Sequence, residues 1–188
     1  MNNRVSSAMA RVNRAGFLPA HARGEAYVDA PIAIGHGQTN SQPFTVAFML
    51  TLLDVHPGHR VLDVGSGSGW TSALLAELGG TVSAVELVPE LVEFGQNNLR
   101  AAGFDDITVH QATDGVFGLP DLAPFDRILV SAEADEIPQD LIDQLRIGGL
   151  MVIPVSGTML LVERLSEDES AVSRHGAFRF VPLRRSRD

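Results

Sequence analysis

A glycine-rich turn between a short apolar strand and a helix constrains the fold of this chain most strongly. Residues 61–70 read VLDVGSGSGW. Gly65, Gly67 and Gly69 allow the backbone to turn sharply and allow a ligand to approach the main chain. Glu86 stands 21 residues after Gly65, at the end of a second predicted strand. Because an acid at that place can accept hydrogen bonds from ribose hydroxyls, the pattern predicts a nucleoside-containing ligand.

The spacing of this loop distinguishes it from three other glycine motifs. The dinucleotide motif G-x-G-x-x-G needs glycine where Trp70 stands. No Gly-Lys-Ser/Thr follows, as a P-loop would require, and a nucleophile elbow needs serine in place of Gly67. The remaining alternative is a strand–helix turn whose glycines serve only packing, and the position of Glu86 argues against it.

The segment after Pro57 alternates strand and helix patterns, which predicts a parallel sheet with helices on both faces. The predicted strands are 60–64, 81–85, 107–111, 127–132 and 150–155, and the predicted helices are 71–78, 89–102 and 138–146. Near the end, segments 159–165 and 178–183 read as strands joined by a polar loop. Strands connected in this way pair as a hairpin, so we predict an antiparallel edge.

The segment before Pro57 differs in character. Residues 43–53 form a strongly apolar predicted helix, and 30–42 read as an irregular, glycine-rich loop of the kind that frames a ligand. A chain of 188 residues fits one domain. We therefore predict a single domain in three parts. They are a helical and substrate-loop extension (1–56), a cofactor-binding core (57–155) and a C-terminal strand hairpin (156–188).

Composition excludes several classes of protein. The chain has 14 basic and 23 acidic residues and a formal net charge of -9, which makes it a poor nucleic-acid binder. It has no cysteine, so disulfide scaffolds, thiolate metal sites and cysteine nucleophiles are excluded. His56 and His59 have no further ligands in the sequence around them, and no metal is expected. We expect a cytoplasmic protein, because no apolar run suits a membrane span and the N-terminal stretch does not resemble a secretory signal.

Arginines cluster near both ends of the chain, and we expect these clusters to be solvated. They are Arg4, Arg11, Arg14 and Arg23, and then Arg184, Arg185 and Arg187.

A second loop points to a particular family. Residues 35–43 read GHGQTNSQP, which resembles the G-x-G-Q-T-I-S-Q-P loop of the protein-L-isoaspartate O-methyltransferase family. The further matches are Asp114-Gly115, PFD at 124–126, EIP at 136–138, Gly148-Gly149, Pro154 and RFVPL at 179–183. The resemblance runs from Arg11 to Leu183. It implies an S-adenosylmethionine-dependent carboxyl O-methyltransferase on a doubly wound, Rossmann-like α/β sheet that is mostly parallel.

The resemblance also implies roles for individual residues. Those expected to bind S-adenosylmethionine are Gly65, Ser66, Gly67, Gly69, Glu86, Leu87, Asp114 and Gly115. Thr39 and Ser41 are expected to meet the reacting carboxylate, with the Ser41 hydroxyl as a donor to it. An isoaspartyl α-carboxylate is ionised at pH 7 and needs no general base, which fits the lack of a candidate catalytic histidine.

The chain departs from the family pattern at three places, all on the acceptor side. Asn40 replaces an apolar residue, Glu133 stands where small residues and proline are usual, and the turn Ser156-Gly157-Thr158 is short and lacks a glutamine. Glu133 is expected either to face solvent or to line the acceptor pocket. In the pocket it would repel a carboxylate, so we expect Glu133→Ala not to lower activity.

The expected activity is methylation of isoaspartyl residues in damaged proteins or peptides by a monomeric enzyme. Three alternatives stay open. The same cofactor could serve a peptide-tailoring or small-molecule methyltransferase, or an RNA methyltransferase, against which the negative charge argues. The chain could also bind the cofactor without turnover.

Overall fold

The computed structural model describes residues 3–186, so the expectation for Arg187 lies outside the described residues. The α-helices within this range are α1 (Asn3–Arg11), α2 (Pro43–Leu53), α3 (Trp70–Glu77), α4 (Pro89–Ala101) and α5 (Gln139–Asp143). The strands are β1 (Ile32–Gly35), β2 (Gln38–Asn40), β3 (Arg60–Val64), β4 (Thr81–Glu86), β5 (Thr108–Gln111), β6 (Phe125–Val130), β7 (Leu145–Val155), β8 (Thr158–Arg164) and β9 (Ser170–Ala177). Short 3-10 helices span Arg14–Phe17, Ala20–Glu25 and Pro120–Leu122.

The main sheet has seven strands in the order β5-β4-β3-β6-β7-β8-β9. Strands β3 to β7 pair in parallel, and β7, β8 and β9 pair antiparallel. The predicted mostly parallel sheet with an antiparallel edge is therefore confirmed. The chain adds β4 and β5 on one side of β3 and then returns to place β6 on the other side. This reversal leaves a crevice at the carboxyl ends of β3 and β6, where open α/β sheets bind ligands.

Helices cover both faces of the sheet, because successive side chains of each strand point to opposite faces. On one face Val61 and Leu129 pack with α1, α2 and α3. On the other face Leu62 and Ile128 pack with α5. Strand β6 is buried along its whole length, as expected for a central strand covered on both sides.

The second strand of the C-terminal hairpin does not lie where the sequence pattern predicts it. Strand β9 is Ser170–Ala177, the stretch interpreted in part as a polar loop, and residues 178–183 do not pair as a strand of the main sheet. Most of β9 is exposed at the sheet edge, so its polar composition suits its position. The apolar residues 178–183 instead cross the carboxyl edge of the sheet, where Pro182 bridges Glu133.

Two further predictions need correction. The segment 30–42 is less irregular than predicted, because β1 and β2 pair as a small antiparallel hairpin with Ile32 and Ile34 buried. The helix predicted over 138–146 ends at Asp143, because Leu145 already pairs with Phe125 at the start of β7. Within residues 3–186, the structure contains no helix with the length and apolar character needed to cross a bilayer.

Candidate active site

The glycine loop forms the floor of the crevice between β3 and α3. Gly65, Gly67 and Gly69 all have positive φ, at 74°, 52° and 86°, which L side chains adopt only with strain. The loop is tied to the neighbouring strand, since the backbone N–H of Gly65 donates to Val85 O at 2.9 Å. The predicted sharp turn is therefore formed at the switch point of the sheet.

Glu86 ends β4 and is only 7% exposed. Its Oε2 accepts a hydrogen bond from the backbone N–H of Gly67 at 2.9 Å, and its Oε1 accepts from that of Val88, also at 2.9 Å. A carboxylate has about four acceptor positions, so both oxygens keep capacity for a ligand. Glu86 thus holds the glycine loop against β4 while it lines the adjoining cavity.

Asp63 is a buried carboxyl group that the sequence analysis missed. Its Oδ2 accepts from the hydroxyls of Thr71 and Ser72 at 2.7 and 2.6 Å, whereas its Oδ1 has no partner within the described residues. Burial raises the pKa of Asp63 to about 6, against the effect of the two hydroxyl bonds, and nearby Glu86 adds to the rise. An acid just before the glycine loop is the signal that could have identified it.

Ser66 provides a second buried atom without a partner. Its Oγ makes no hydrogen bond in the described part of the chain, and the residue lines a cavity beside the loop. Buried polar atoms normally have partners. Ser66 lines the middle of the site, so its unpartnered Oγ fits a polar group of a ligand, whereas Asp63 is fully buried behind the loop.

Three cavities adjoin along the carboxyl edge of the sheet. The largest of the three, called here the large cavity, lies beside the glycine loop and the end of β4. Its lining includes Gly65, Gly67, Glu86, Leu87, Phe117 and Leu183. The middle cavity is lined by residues that include Ser41, Ser66, Ser68 and Trp70. The third, called here the hydroxyl cavity, has a lining that includes Pro31, Ser41, Gln42, Thr45, Arg179 and Phe180.

Two hydroxyl residues line all three cavities. One is Thr39, which we expected at the reacting carboxylate, and the other is Ser131, which the sequence analysis did not single out. Ser131 directly follows β6, so the crevice of the sheet places it opposite the glycine loop. Ser41 lines the middle and hydroxyl cavities but not the large one. Thr39 and Ser41 therefore share two of the three cavities.

The loop that carries Thr39 and Ser41 is held by Arg14, which was expected to be solvated but is only 5% exposed. Its Nη2 donates to the backbone oxygens of Ala30, Asn40 and Ser41 at 2.8, 3.2 and 3.0 Å. Its guanidinium also lies over the Trp70 ring, 5.3 Å from the centroid. The prediction for Arg14 was wrong, because the chain folds these carbonyl groups around it.

Asn40, the first departure from the family pattern, belongs to the same buried network. Its Oδ1 accepts from Arg14 Nε at 2.7 Å, and its Nδ2 donates to Ser68 Oγ at 2.9 Å. The polar side chain can be buried because both its amide oxygen and its amide nitrogen are hydrogen-bonded. Asn40 thereby links the loop that bears Thr39 and Ser41 to the glycine loop.

Asp114 and Gly115 lie in the turn after β5 and are exposed. Neither lines the large cavity, although Ala112, Val116 and Phe117 beside them do. Their expected role at the adenine stays a prediction. Gly69 also lies outside the cavity linings.

Gly69 precedes the first residue of α3 and packs closely against α4. A Cβ placed on it would lie 3.0 Å from Leu99 Cγ. The geometry therefore gives Gly69 a role in helix packing, and its expected cofactor contact stays a prediction.

Arg185 is exposed, as expected, and its side chain is attached beside the large cavity. Its Nη1 donates to Gly115 O and Asp140 Oδ2 at 3.1 and 2.6 Å, and its guanidinium lies 4.1 Å from the centre of the Phe117 ring. Arg184 lines the same cavity. The end of the described chain is thus part of the site.

Glu133 takes neither of the two positions expected from the sequence. It is half-buried and is absent from the linings of the three cavities. Its carboxylate accepts from the backbone N–H of Gly157 at 3.0 Å and from that of Phe180 at 3.4 Å. Thr158, at the start of β8, pairs with Val155. The repulsion hypothesis for Glu133 is therefore not supported by its position.

Comparisons with known proteins agree on one family. The family described as Protein-L-isoaspartate(D-aspartate) O-methyltransferase matches residues 1–188. A protein-L-isoaspartate O-methyltransferase of Methanopyrus kandleri is 48% identical over 189 residues, which cover 97% of this chain and 84% of that protein. Its counterpart in Aeropyrum pernix is 47% identical over 190 residues, covering 97% and 73% of the two chains.

A solved structure with the same fold contains a ligand. It is a candidate protein-L-isoaspartate O-methyltransferase from Plasmodium falciparum in complex with S-adenosyl-L-homocysteine. The TM-score is 0.84 at 26% sequence identity, and the match covers 98% of this chain and 92% of the other.

Proposed function

Because the chain belongs to the protein-L-isoaspartate(D-aspartate) O-methyltransferase family, we propose that it methylates the α-carboxylate of L-isoaspartyl residues, with S-adenosylmethionine as donor. Its acceptors are damaged proteins or peptides, and its role is protein repair. The observation that carries this function is that Thr39 and Ser131 line all three adjoining cavities. A cofactor in the large and middle cavities would therefore meet an acceptor in the hydroxyl cavity at these two residues.

The large and middle cavities suit the cofactor. Glu86 keeps acceptor capacity for ribose hydroxyls, and the apolar lining of Leu87 and Phe117 suits a nucleobase. The polar lining of the middle cavity, which includes Ser66 with its unpartnered Oγ, suits the methionine part of the cofactor. When bound, S-adenosylmethionine supplies a methyl group on a positively charged sulfur.

The hydroxyl cavity suits an anionic acceptor. The described residues that line it include hydroxyl side chains, the guanidinium of Arg179 and no carboxylate. Ser41 would donate to one carboxylate oxygen, and Arg179 at the rim would attract the acceptor's negative charge. In a chain with a formal net charge of -9, this local cation favours an acid over a base as acceptor.

The reaction requires the protein mainly to position the two reactants. The acceptor carboxylate is ionised at pH 7 and needs no residue to remove a proton. Thr39, Ser41 and Ser131 would orient it, and holding the reactants together can contribute on the order of 7 to 11 kcal/mol. Residues 181–184, which line the large cavity, would reduce the access of water.

The test is incubation of the protein with methyl-labelled S-adenosylmethionine and a peptide containing one L-isoaspartyl residue. The matched control is the same peptide with an ordinary aspartyl residue at that position. We expect base-labile methyl ester on the isoaspartyl peptide only. Equal labelling of both peptides would contradict the proposed specificity.

Two further measurements distinguish the alternative functions: calorimetry with S-adenosylhomocysteine, and the same incubation with small carboxylic acids in place of the peptide. Binding of S-adenosylhomocysteine without methyl transfer to any isoaspartyl peptide would identify a binding protein or an enzyme with a different acceptor. Labelling of a small acid in place of the peptide would identify a small-molecule methyltransferase. Neither of these outcomes is compatible with the proposed repair function.

We also propose that the enzyme acts in the cytoplasm as a monomer. The absence of cysteine is compatible with a reducing compartment. Light scattering at assay concentration tests the oligomeric state. The chain has a mass of 20.1 kDa, and a measured mass twice as large would contradict the monomer.

A further inference from the structure

The segment that follows β9, residues 178–184, is called here the roof segment because it borders two of the cavities. Its first half contributes Arg179, Phe180 and Val181 to the hydroxyl cavity. Its second half, from Val181 to Arg184, lines the large cavity. The position of this segment therefore affects both the cofactor side and the acceptor side of the site.

The roof segment is attached to the body of the protein through the backbone of Glu133. The N–H of Glu133 donates to Val181 O at 2.7 Å, and its carbonyl oxygen accepts from Leu183 N–H at 2.6 Å. At the start of the segment the Phe178 ring lies 5.1 Å from that of Phe48 in α2, measured between centroids. The middle of the segment, between these two attachments, borders the hydroxyl cavity.

The side chain of Glu133 holds that middle part. Its Oε2 accepts from the N–H of Phe180, and its Oε1 accepts from the N–H of Gly157 in the turn between β7 and β8. Gly157 O in turn accepts from Phe178 N–H at 2.9 Å. One carboxylate thus joins the turn to the roof segment, and its charge is stabilised by backbone donors.

Two of the three departures from the family pattern, Glu133 and the turn at 156–158, are in contact with each other. The loop after β6, which carries Glu133, and the short turn after β7 are joined by further bonds. Ser156 N–H donates to Ala134 O at 3.0 Å, and Ser156 Oγ donates to Asp135 O at 2.9 Å. The short turn therefore places Gly157 within reach of the Glu133 carboxylate, so the two departures form one structural unit.

From these contacts we infer that Glu133 is a positioning residue, whose carboxylate holds the roof segment where it completes the acceptor site. This inference rests on the proposed function and extends it. Without the side chain, Phe180 loses its bond to Glu133, while the backbone bonds of Glu133 to Val181 and Leu183 remain. The acceptor side should therefore loosen more than the cofactor side.

The experiment compares Glu133→Ala and Glu133→Gln with the control Asp135→Ala. Asp135 lies in the same loop, its side chain is exposed, and the control removes the same charge. We expect Glu133→Ala to raise KM for the isoaspartyl peptide about tenfold, because the bond from Gly157 at 3.0 Å and the longer one from Phe180 at 3.4 Å are both lost. The kcat and the Kd for S-adenosylhomocysteine should change about twofold or less.

Glu133→Gln keeps one acceptor oxygen and should raise KM by about threefold. Hydrogen exchange provides the readout that is independent of activity. The amides of Gly157 and Phe180 should exchange about tenfold faster in Glu133→Ala, and at wild-type rates in Asp135→Ala. A general loss of folding would instead speed exchange in the central strands β3 and β6.

Three results would overturn the inference. They are a lower KM in Glu133→Gln, as charge repulsion predicts, unchanged exchange at Gly157 and Phe180, or equal effects of Glu133→Ala and Asp135→Ala. Failure of the proposed function would be separate, because wild-type protein would then not methylate the isoaspartyl peptide. The exchange measurement would still test the attachment in that case.

Discussion

Asp63 lies two residues before the glycine loop, and burial raises its pKa to about 6. Between the ordinary value of 3.8 and about 6, the folded state binds a proton that the unfolded state releases. The contribution of Asp63 to the free energy of unfolding therefore falls as pH rises through this range and is constant above it. A shift of about two units corresponds to about 3 kcal/mol.

We therefore predict a pH-dependent difference in stability between Asp63→Asn and wild type. Relative to wild type, the variant's free energy of unfolding should increase by about 2 to 3 kcal/mol between pH 4 and pH 7. Urea unfolding without ligand at both pH values measures this change, and Asp121→Asn, at an exposed position, is the control. Parallel pH profiles for Asp63→Asn and wild type would contradict the prediction.

Ser41 and Ser66 both line the middle cavity, but we expect their substitution to affect different steps. Ser41→Ala should lower kcat by about 10- to 1000-fold, as loss of a donor to the reacting group does, with the Kd for S-adenosylhomocysteine nearly unchanged. Ser66→Ala should mainly weaken binding of this nucleoside. Calorimetry and initial rates separate the two effects, and an equal loss of nucleoside binding in both variants would show that the Ser41 loop is assigned wrongly.

Helix α4 packs directly against the glycine loop at Gly95. A Cβ on Gly95 would lie 2.8 Å from the backbone oxygen of Gly67, closer than real Cβ atoms come. The obstacle is main chain, so it cannot move like the end of a side chain. The small residue on α4 is therefore required by the shape of the loop.

We predict that Gly95→Ala destabilises the protein by about 1 to 3 kcal/mol through overpacking. This loss exceeds the gain in helix propensity, which is about 1 kcal/mol. The displaced loop should also weaken S-adenosylhomocysteine binding. The control is Asn97→Ala, an exposed position in the same helix, which should not weaken binding. Unfolding and calorimetry test both effects, and wild-type nucleoside affinity in Gly95→Ala would contradict the contact.

At the scale of the whole molecule, the segment before β3 contributes Thr39 and Ser41 to cavities whose other walls include the glycine loop and the end of β6. Arg14 holds this segment, since its guanidinium donates to five backbone oxygens and to the Asn40 side chain. Burial lowers the pKa of Arg14, against the effect of Asp29. Carbonyl oxygens rather than a direct ion pair therefore hold this charge.

Lysine cannot reproduce the planar, branched donor set of Arg14. We predict that Arg14→Lys lowers the free energy of unfolding by about 3 kcal/mol, because several buried carbonyl groups lose their partners. It should also raise KM for the peptide. Arg11→Lys is the control, since Arg11 is exposed and its ion pair with Glu77 contributes little. Equal stability of the two variants in urea would contradict this role.

Local patterns were sufficient for several features of the protein. Strand and helix periodicity predicted the parallel sheet and its antiparallel edge, because the order of short elements limits how a chain can cover its apolar faces. The glycine loop and Glu86 indicated a nucleoside, and GHGQTNSQP indicated the family. These features depend on residues that are close in sequence or on the spacing between consecutive elements.

Partners that are distant in sequence were decided only by the tertiary structure. The carboxylate of Glu133 accepts from Phe180, 47 residues away, and Arg14 binds the carbonyl of Ser41, 27 residues away. Residues 178–183 have a strand-like composition, yet they cross the site because β9 already occupies the sheet edge. A charged or apolar side chain has no preferred partner until the chain surrounds it, since the energy of burial depends on which donors and acceptors are enclosed with it.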